Sequence, residues 1–189
     1  MTEHSAIPSE VSDFACVDFV NSAFSDHLGS GQSIDRLESA DWREWFLGRY
    51  DLKPDKGDAP PVPELVALRR DLRRILNRWS SDLPLSQRDL RLLDERLRSA
   101  PVRTRLTQRS SGLALAREPL ERSWEWVLAS VTMSAVELLR DGDPRRLKTC
   151  DNPDCSWMFY DNTVNRSRRF CSTTPCGSLI RVRRFRQRL

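Results

Sequence analysis

The 189-residue chain has little of what most enzymes need. It holds two histidines, His4 and His27, and neither has a nucleophile or a second metal ligand at a recognisable spacing. Its seven glycines form no phosphate-cradling loop, and it has no nucleophile elbow or paired-histidine metalloprotease motif. The expectation is therefore a protein that binds rather than catalyses. No stretch approaches the ~18 apolar residues of a membrane-spanning helix. Met1 to Ser12 lacks the basic and apolar regions of a secretory leader. Both absences point to a cytoplasmic protein with no membrane partner, in a compartment where disulfides are disfavoured. Internal repeats and low-complexity tracts are also missing, while 39% hydrophobic content suits one real core over residues 1–140.

What the chain does have is concentrated near its end. Four of its five cysteines are spaced Cys150-x4-Cys155-x15-Cys171-x4-Cys176. Two short clips separated by about fifteen residues are the pattern of one tetrahedral Zn²⁺ site of structural type. An iron–sulfur cluster also takes four thiolates, and disulfides or free thiols are the remaining readings. The fifth, Cys16, stands among Phe14, Val17 and Phe19 and reads as a small buried hydrophobe. From Cys150 onward the chain has too few large apolar residues to fold unaided. A structural zinc supplies on the order of 10 kcal/mol or more of folding free energy.

The same segment carries the basic charge. Arg166, Arg168, Arg169, Arg181, Arg183, Arg184, Arg186 and Arg188 face only Asp151, Asp154 and Asp161, a net +5 against +4 for the whole chain. Such a patch is the footprint of a phosphate-backbone binder, and a guanidinium fork suits phosphate or guanine edges. The bland readings are a solvated tail, an acidic protein partner, or arginines that offset the thiolates of the metal site. Leu179, Val182, Phe185 and Leu189 recur at helical steps, so a helix after Cys176 is predicted to lay that face on the metal knuckle with its arginines outward.

These residues also carry a resemblance. Cys150-x4-Cys155-x3-Phe159-x-Asp161, then Asn165, Arg168-Arg169-Phe170-Cys171 and Cys176-Gly177, resembles the CGNR-type zinc finger of bacterial proteins. Cys16-Val17-Asp18-Phe19-Val20-Asn21-Ser22, with Trp42 and Trp45, resembles the ABATE domain that accompanies that finger. The resemblance implies a stress-induced transcription regulator with residues 1–142 as a sensor domain and 143–189 as the finger. The name motif ends in Asn-Arg, whereas Ser178-Leu179 follow Cys176-Gly177 here, and Arg181 or Arg183 would have to replace that arginine.

The rest reads as mainly α with one small β-hairpin. Helical faces are predicted over 9–26, closed by Gly29 and Gly31, and over 41–50, 63–79 and 86–98, the last N-capped by Ser86 with Asp89 at N3. Arg69, Arg70, Arg73, Arg74 and Arg78 are expected on a solvated face, and Leu90, Leu93 and Leu97 in a buried stripe. Residues 53–61 are a loop. Alternation over 102–107 and 113–116 predicts the hairpin. A long helix over 119–140 follows, with Pro119 in its first turn, Leu120 to Leu139 on its apolar face and Trp126 off that face, free to line a pocket. Asn21, a polar residue on an apolar face, either ties down backbone or touches a ligand. With Trp42 and Trp45 it forms the candidate pocket for a small-molecule effector.

Three functions fit. The favoured one is a zinc-containing DNA-binding transcription regulator, with a homodimer or RNA polymerase supplying further contacts. The others are an RNA-binding protein stacking bases on Trp157, Phe159 and Tyr160, and a protein adaptor or small-molecule binder with a purely structural finger.

Overall fold

The computed structural model describes residues 12–27, 29–55, 59–110 and 112–186. His4, Val11, Ser111, Arg188 and Leu189 lie outside the described residues. The chain runs α1 (Ala15–Val20), β1 (Ala23–Ser25), β2 (Ser33–Asp35), α2 (Ala40–Arg49), α3 (Val62–Ser80) and α4 (Gln87–Arg98). It continues through β3 (Val102–Arg109), β4 (Gly112–Pro119), α5 (Trp124–Asp141), β5 (Leu147–Thr149), β6 (Met158–Tyr160) and α6 (Ser178–Arg186). The strands form three separate antiparallel pairs, β1–β2, β3–β4 and β5–β6. Mainly helical with small strand pairs, and a cysteine cluster after the helices, is thus the architecture.

Every residue of α1 is buried, and the short rod packs on α3 and α5. Phe19, Val20, Leu68, Leu72, Ile75, Val131 and Ala135 meet in this core. Trp42 of α2 is buried and stacks on Phe46 at 5.1 Å between ring centroids. Cys16 is fully buried, its thiol pushed up to about 12 by burial. Periodicity placed α3, α4 and α5 well, because apolar residues at steps of three and four give each helix one face to bury. Ser86 caps α4 in a reciprocal capping box with Asp89. The hairpin pairs Leu106 with Leu115 and Thr104 with Arg117, also as expected.

Several expectations are corrected. The first helix stops at Val20 rather than running to Asp26. Phe24 pairs with Ile34 in a hairpin instead, and Gly29 and Gly31 take φ of +87° and +76° in its loop. Only pairing with Ser33–Asp35 across the loop makes that segment a strand. Arg69 is buried: it forks onto Asp35 at 2.5 and 2.6 Å and donates to Ser22 Oγ at 3.1 Å. Arg73 also points inward, donating to the carbonyl of Ser156 at 2.7 Å. Arg70, Arg74 and Arg78 remain at the surface side of α3, Arg74 paired with Asp89. Leu90 is 45% exposed, and Leu92 packs on the core beside Leu93. Pro119 ends β4, Leu120 is exposed, and Ser123 caps α5. Trp126 is only 8% exposed, under the Arg122 guanidinium at 4.9 Å, and lies in the core.

Candidate metal centre and basic finger

β5 and β6 bring the first cysteine clip to the body of the protein. Cys150 follows β5 directly, and its N–H donates to the carbonyl of Trp157. Asn152 then folds the chain back: its Oδ1 accepts from Asp154 N at 3.2 Å and its carbonyl from Cys155 N at 2.9 Å. Cys171 ends the loop that returns from β6, and Cys176 sits in the wide turn over 173–177 that leads into α6. The four sulfurs converge within 4.8 Å of one another, all buried. Cys155 Sγ is 3.9 Å from Cys171 Sγ, which is 3.7 Å from Cys176 Sγ.

Those separations suit a metal. Zn–S bonds of about 2.3 Å in a tetrahedron set sulfur–sulfur edges at about 3.8 Å. A disulfide would need about 2.05 Å, so none of the four is oxidised to a partner. Two N–H groups are aimed at the sulfurs, Cys171 N at Cys150 Sγ (3.4 Å) and Asn152 Nδ2 at Cys176 Sγ (3.5 Å). Such outer donors orient ligands and offset thiolate charge. One divalent cation would fit the cage and offset the charge of four crowded thiolates. When bound it supplies the cross-link that Phe159, Trp157 and Phe170 are too few to replace.

The loop between the clips is built on a buried carboxylate. Asp161 is fully buried and accepts from Lys148 Nζ (2.7 Å), Thr163 N (3.0 Å), Thr163 Oγ1 (2.5 Å) and Arg168 N (3.0 Å). Burial alone would raise its pKa, but these donors hold it well below the carboxylate range. Arg146 donates to the carbonyls of Asp161 and Thr163, and Lys148 to those of Arg166 and Arg168. The resemblance marked Asp161 without its task, which the distant Lys148 and Arg146 reveal.

The eight arginines divide by partner. Arg166 pairs with Asp143 at 3.0 Å, Arg169 with Asp151 at 2.6 Å, and Arg183 with Asp154. Arg168 lies 4.8 Å over the Phe159 ring and donates to the carbonyls of Phe170 and Cys171. Arg181 and Arg186 stand exposed on α6, Arg181 donating to the carbonyl of Gly177. Arg184 belongs to α6 with its side chain outside the description, as Arg188 is altogether. The orientation of α6 corrects the expected one. Val182 and Phe185 are 47% and 65% exposed, while Leu179, Ile180 and Arg183 are half-buried, so of the expected face only Leu179 turns inward among the described residues. The ion pair of Arg183 with Asp154 fixes that rotation. Gly29 of the first hairpin fits under the same pair, where a Cβ would lie 2.9 Å from Asp154 Oδ2.

The candidate pocket does not assemble as a unit. Asn21 is spent on the finger: Nδ2 donates to Met158 O at 2.8 Å and Oδ1 accepts from Met158 N at 2.9 Å. Trp42 is a core residue, and Trp45 packs beside it at 5.9 Å. Asn21 instead lines a cavity of about 330 Å³ between α1 and the finger. Sequence reasoning missed Asn152, whose amide joins His27 O (3.1 Å) in the first hairpin to Cys176 Sγ.

A helical body joined to a four-cysteine finger is the class these features define. The CGNR zinc finger model matches residues 146–189, and the ABATE model, described as "Putative stress-induced transcription regulator", matches residues 13–142. The second covers well over half of the chain, which therefore belongs to that family. A search of curated proteins gave no match. No helix among the described residues is long and apolar enough to cross a membrane.

Proposed function

We propose that the protein is a DNA-binding transcription regulator whose finger contacts the duplex and whose first domain responds to a small effector. The observation that carries it is the exposed guanidinium surface on a metal-fixed module. Arg181 and Arg186 extend from α6, and Arg166 and Arg169 flank the loop with single surface aspartates as partners. Exposed pairs of that kind are worth only about 0–1 kcal/mol, so phosphate competes readily for their guanidinium groups. The family description is of the same kind. The aromatics that RNA stacking would use support it less: Phe159 is buried, Trp157 packs on the sulfur cluster and Tyr160 accepts from Asp143 N.

A salt series with random duplex DNA tests the reading. Arg181 and Arg186 are expected to contribute about two counter-ions to the slope of log K on log salt, lost in Arg181→Ala/Arg186→Ala with zinc retained. Affinity that ignores salt would overturn it. A second reading, docking of α6 on a protein such as RNA polymerase or a second copy, is favoured by the exposed Val182 and Phe185. Val182→Ser/Phe185→Ser separates the two, weakening that docking and leaving the DNA salt slope unchanged.

A further inference from the structure

The cavity between α1 and the finger has a chemistry of its own. At about 330 Å³ it falls at the small end of ligand sites, roughly 300–1,000 Å³. Its first-domain wall carries Asp13, Phe14 and Asp18, and its finger wall Phe159, Tyr160 and Arg168. Asp18 is only 5% exposed, yet its two hydrogen bonds come from uncharged groups, Ser12 N at 2.9 Å and the Tyr50 hydroxyl at 2.6 Å. The neighbouring Arg49 donates to the carbonyl of Ser12, not to the carboxylate. A carboxylate taken out of water is costly to keep ionised, and the nearby charge of Arg49 offsets that cost only in part. Burial raises its pKa, with the Tyr50 and Ser12 bonds and the charge of Arg49 opposing. Arg168, the cation of the opposite wall, directs N–H groups to the carbonyls of Phe170 and Cys171 and lays its face on Phe159.

Two further features suit a cationic guest. Phe14 and Tyr160 meet edge to face at 5.2 Å, giving an aromatic wall beside the carboxylate. Asp13 is exposed and bridges the cleft, its Oδ2 accepting from Asn162 Nδ2 at 3.1 Å. We infer that the cavity binds a small primary amine in its ammonium form, the charge on Asp18 and the body against Phe14 and Tyr160. Carboxylate and ring faces are the two groups that an alkylammonium satisfies together. The inference rests on, and gives a chemical class to, the effector-responsive first domain proposed above. A guest there would lie between α1 and the strand and loop that carry Arg166, Arg168 and Arg169.

The test is calorimetric titration of the full, zinc-loaded chain with phenethylamine and, separately, with 2-phenylethanol, its uncharged counterpart. Saturable binding of the amine, about tenfold weaker for the alcohol and about tenfold weaker in Asp18→Asn, is expected. Asp13→Asn, at an exposed position that leaves the core untouched, should weaken the amine about threefold. Absence of saturable amine binding, or equal affinity for amine and alcohol, would overturn the site. DNA affinity is read in the same preparations without amine, so loss of one reading leaves the other standing.

Discussion

In residues 13–142, five helices bury Phe19, Trp42, Leu68, Leu72 and Ile75 against one another. In the finger the interior is four sulfurs, Phe159 and the partly buried rings of Trp157 and Phe170. The first region gains its stability from apolar area removed from water. The second has too little such area and uses directed contacts, sulfur around a cation and N–H and ammonium groups around Asp161. Directed contacts also fix geometry, and Arg181 and Arg186 project from that fixed frame. The seam uses both devices: Leu147 and Met158 enter the first region's core, while Asn21 and Arg73 reach across to finger backbone.

The sharpest way to break the contrast is to remove the metal. Chelation, or Cys171→Ser, should abolish a contribution on the order of 10 kcal/mol and unfold the loop and α6. Circular dichroism should retain the signal of α3 and α5, and loss of all helical signal would show that the regions are not built separately. Next in size is Leu72→Ala, at a fully buried position of α3, expected to cost about 2–5 kcal/mol in urea unfolding with zinc stoichiometry unchanged. Asn21→Ala probes the seam: it strands the N–H and carbonyl of Met158 and should cost about 1–3 kcal/mol while lowering zinc affinity. An unchanged zinc affinity would mean that the finger does not feel the clamp.

The smallest effect belongs to Ser86→Ala, about 1 kcal/mol from loss of the α4 cap. Burial would raise the Asp89 carboxyl, but hydrogen bonds from Ser86 and Arg74 outweigh it and lower the pKa from 3.8 to about 2. A depressed pKa stabilises the fold above the unfolded value. That stabilisation fades as pH falls from about 4 towards about 2, so the gap between wild type and variant should narrow over that window.

How far the sequence could be read follows from how local each cause is. The stripe of Leu65, Leu68, Leu72, Ile75 and Leu76 is visible at once, and so is the cysteine spacing. Ser22 to Ser25 continues a helical pattern of apolar residues, and only the partner strand overrides it. Arg69 and Arg70 look alike until Asp35 is placed next to one of them. Asn21 was recognisable as a buried amide needing partners, but Met158 lies 137 residues away. The tilt of α6 depends on Asp154 and on Gly29 of the first hairpin, so its apolar spacing alone pointed Val182 and Phe185 inward when they are exposed.

Met158 is a residue of the finger by position and a residue of the helical core by burial, and its backbone completes the hydrogen bonding of Asn21. A gene exchange that moved the finger alone would leave a hole in one host and an uncovered methionine in the other. The two regions are matched to each other through that single strand.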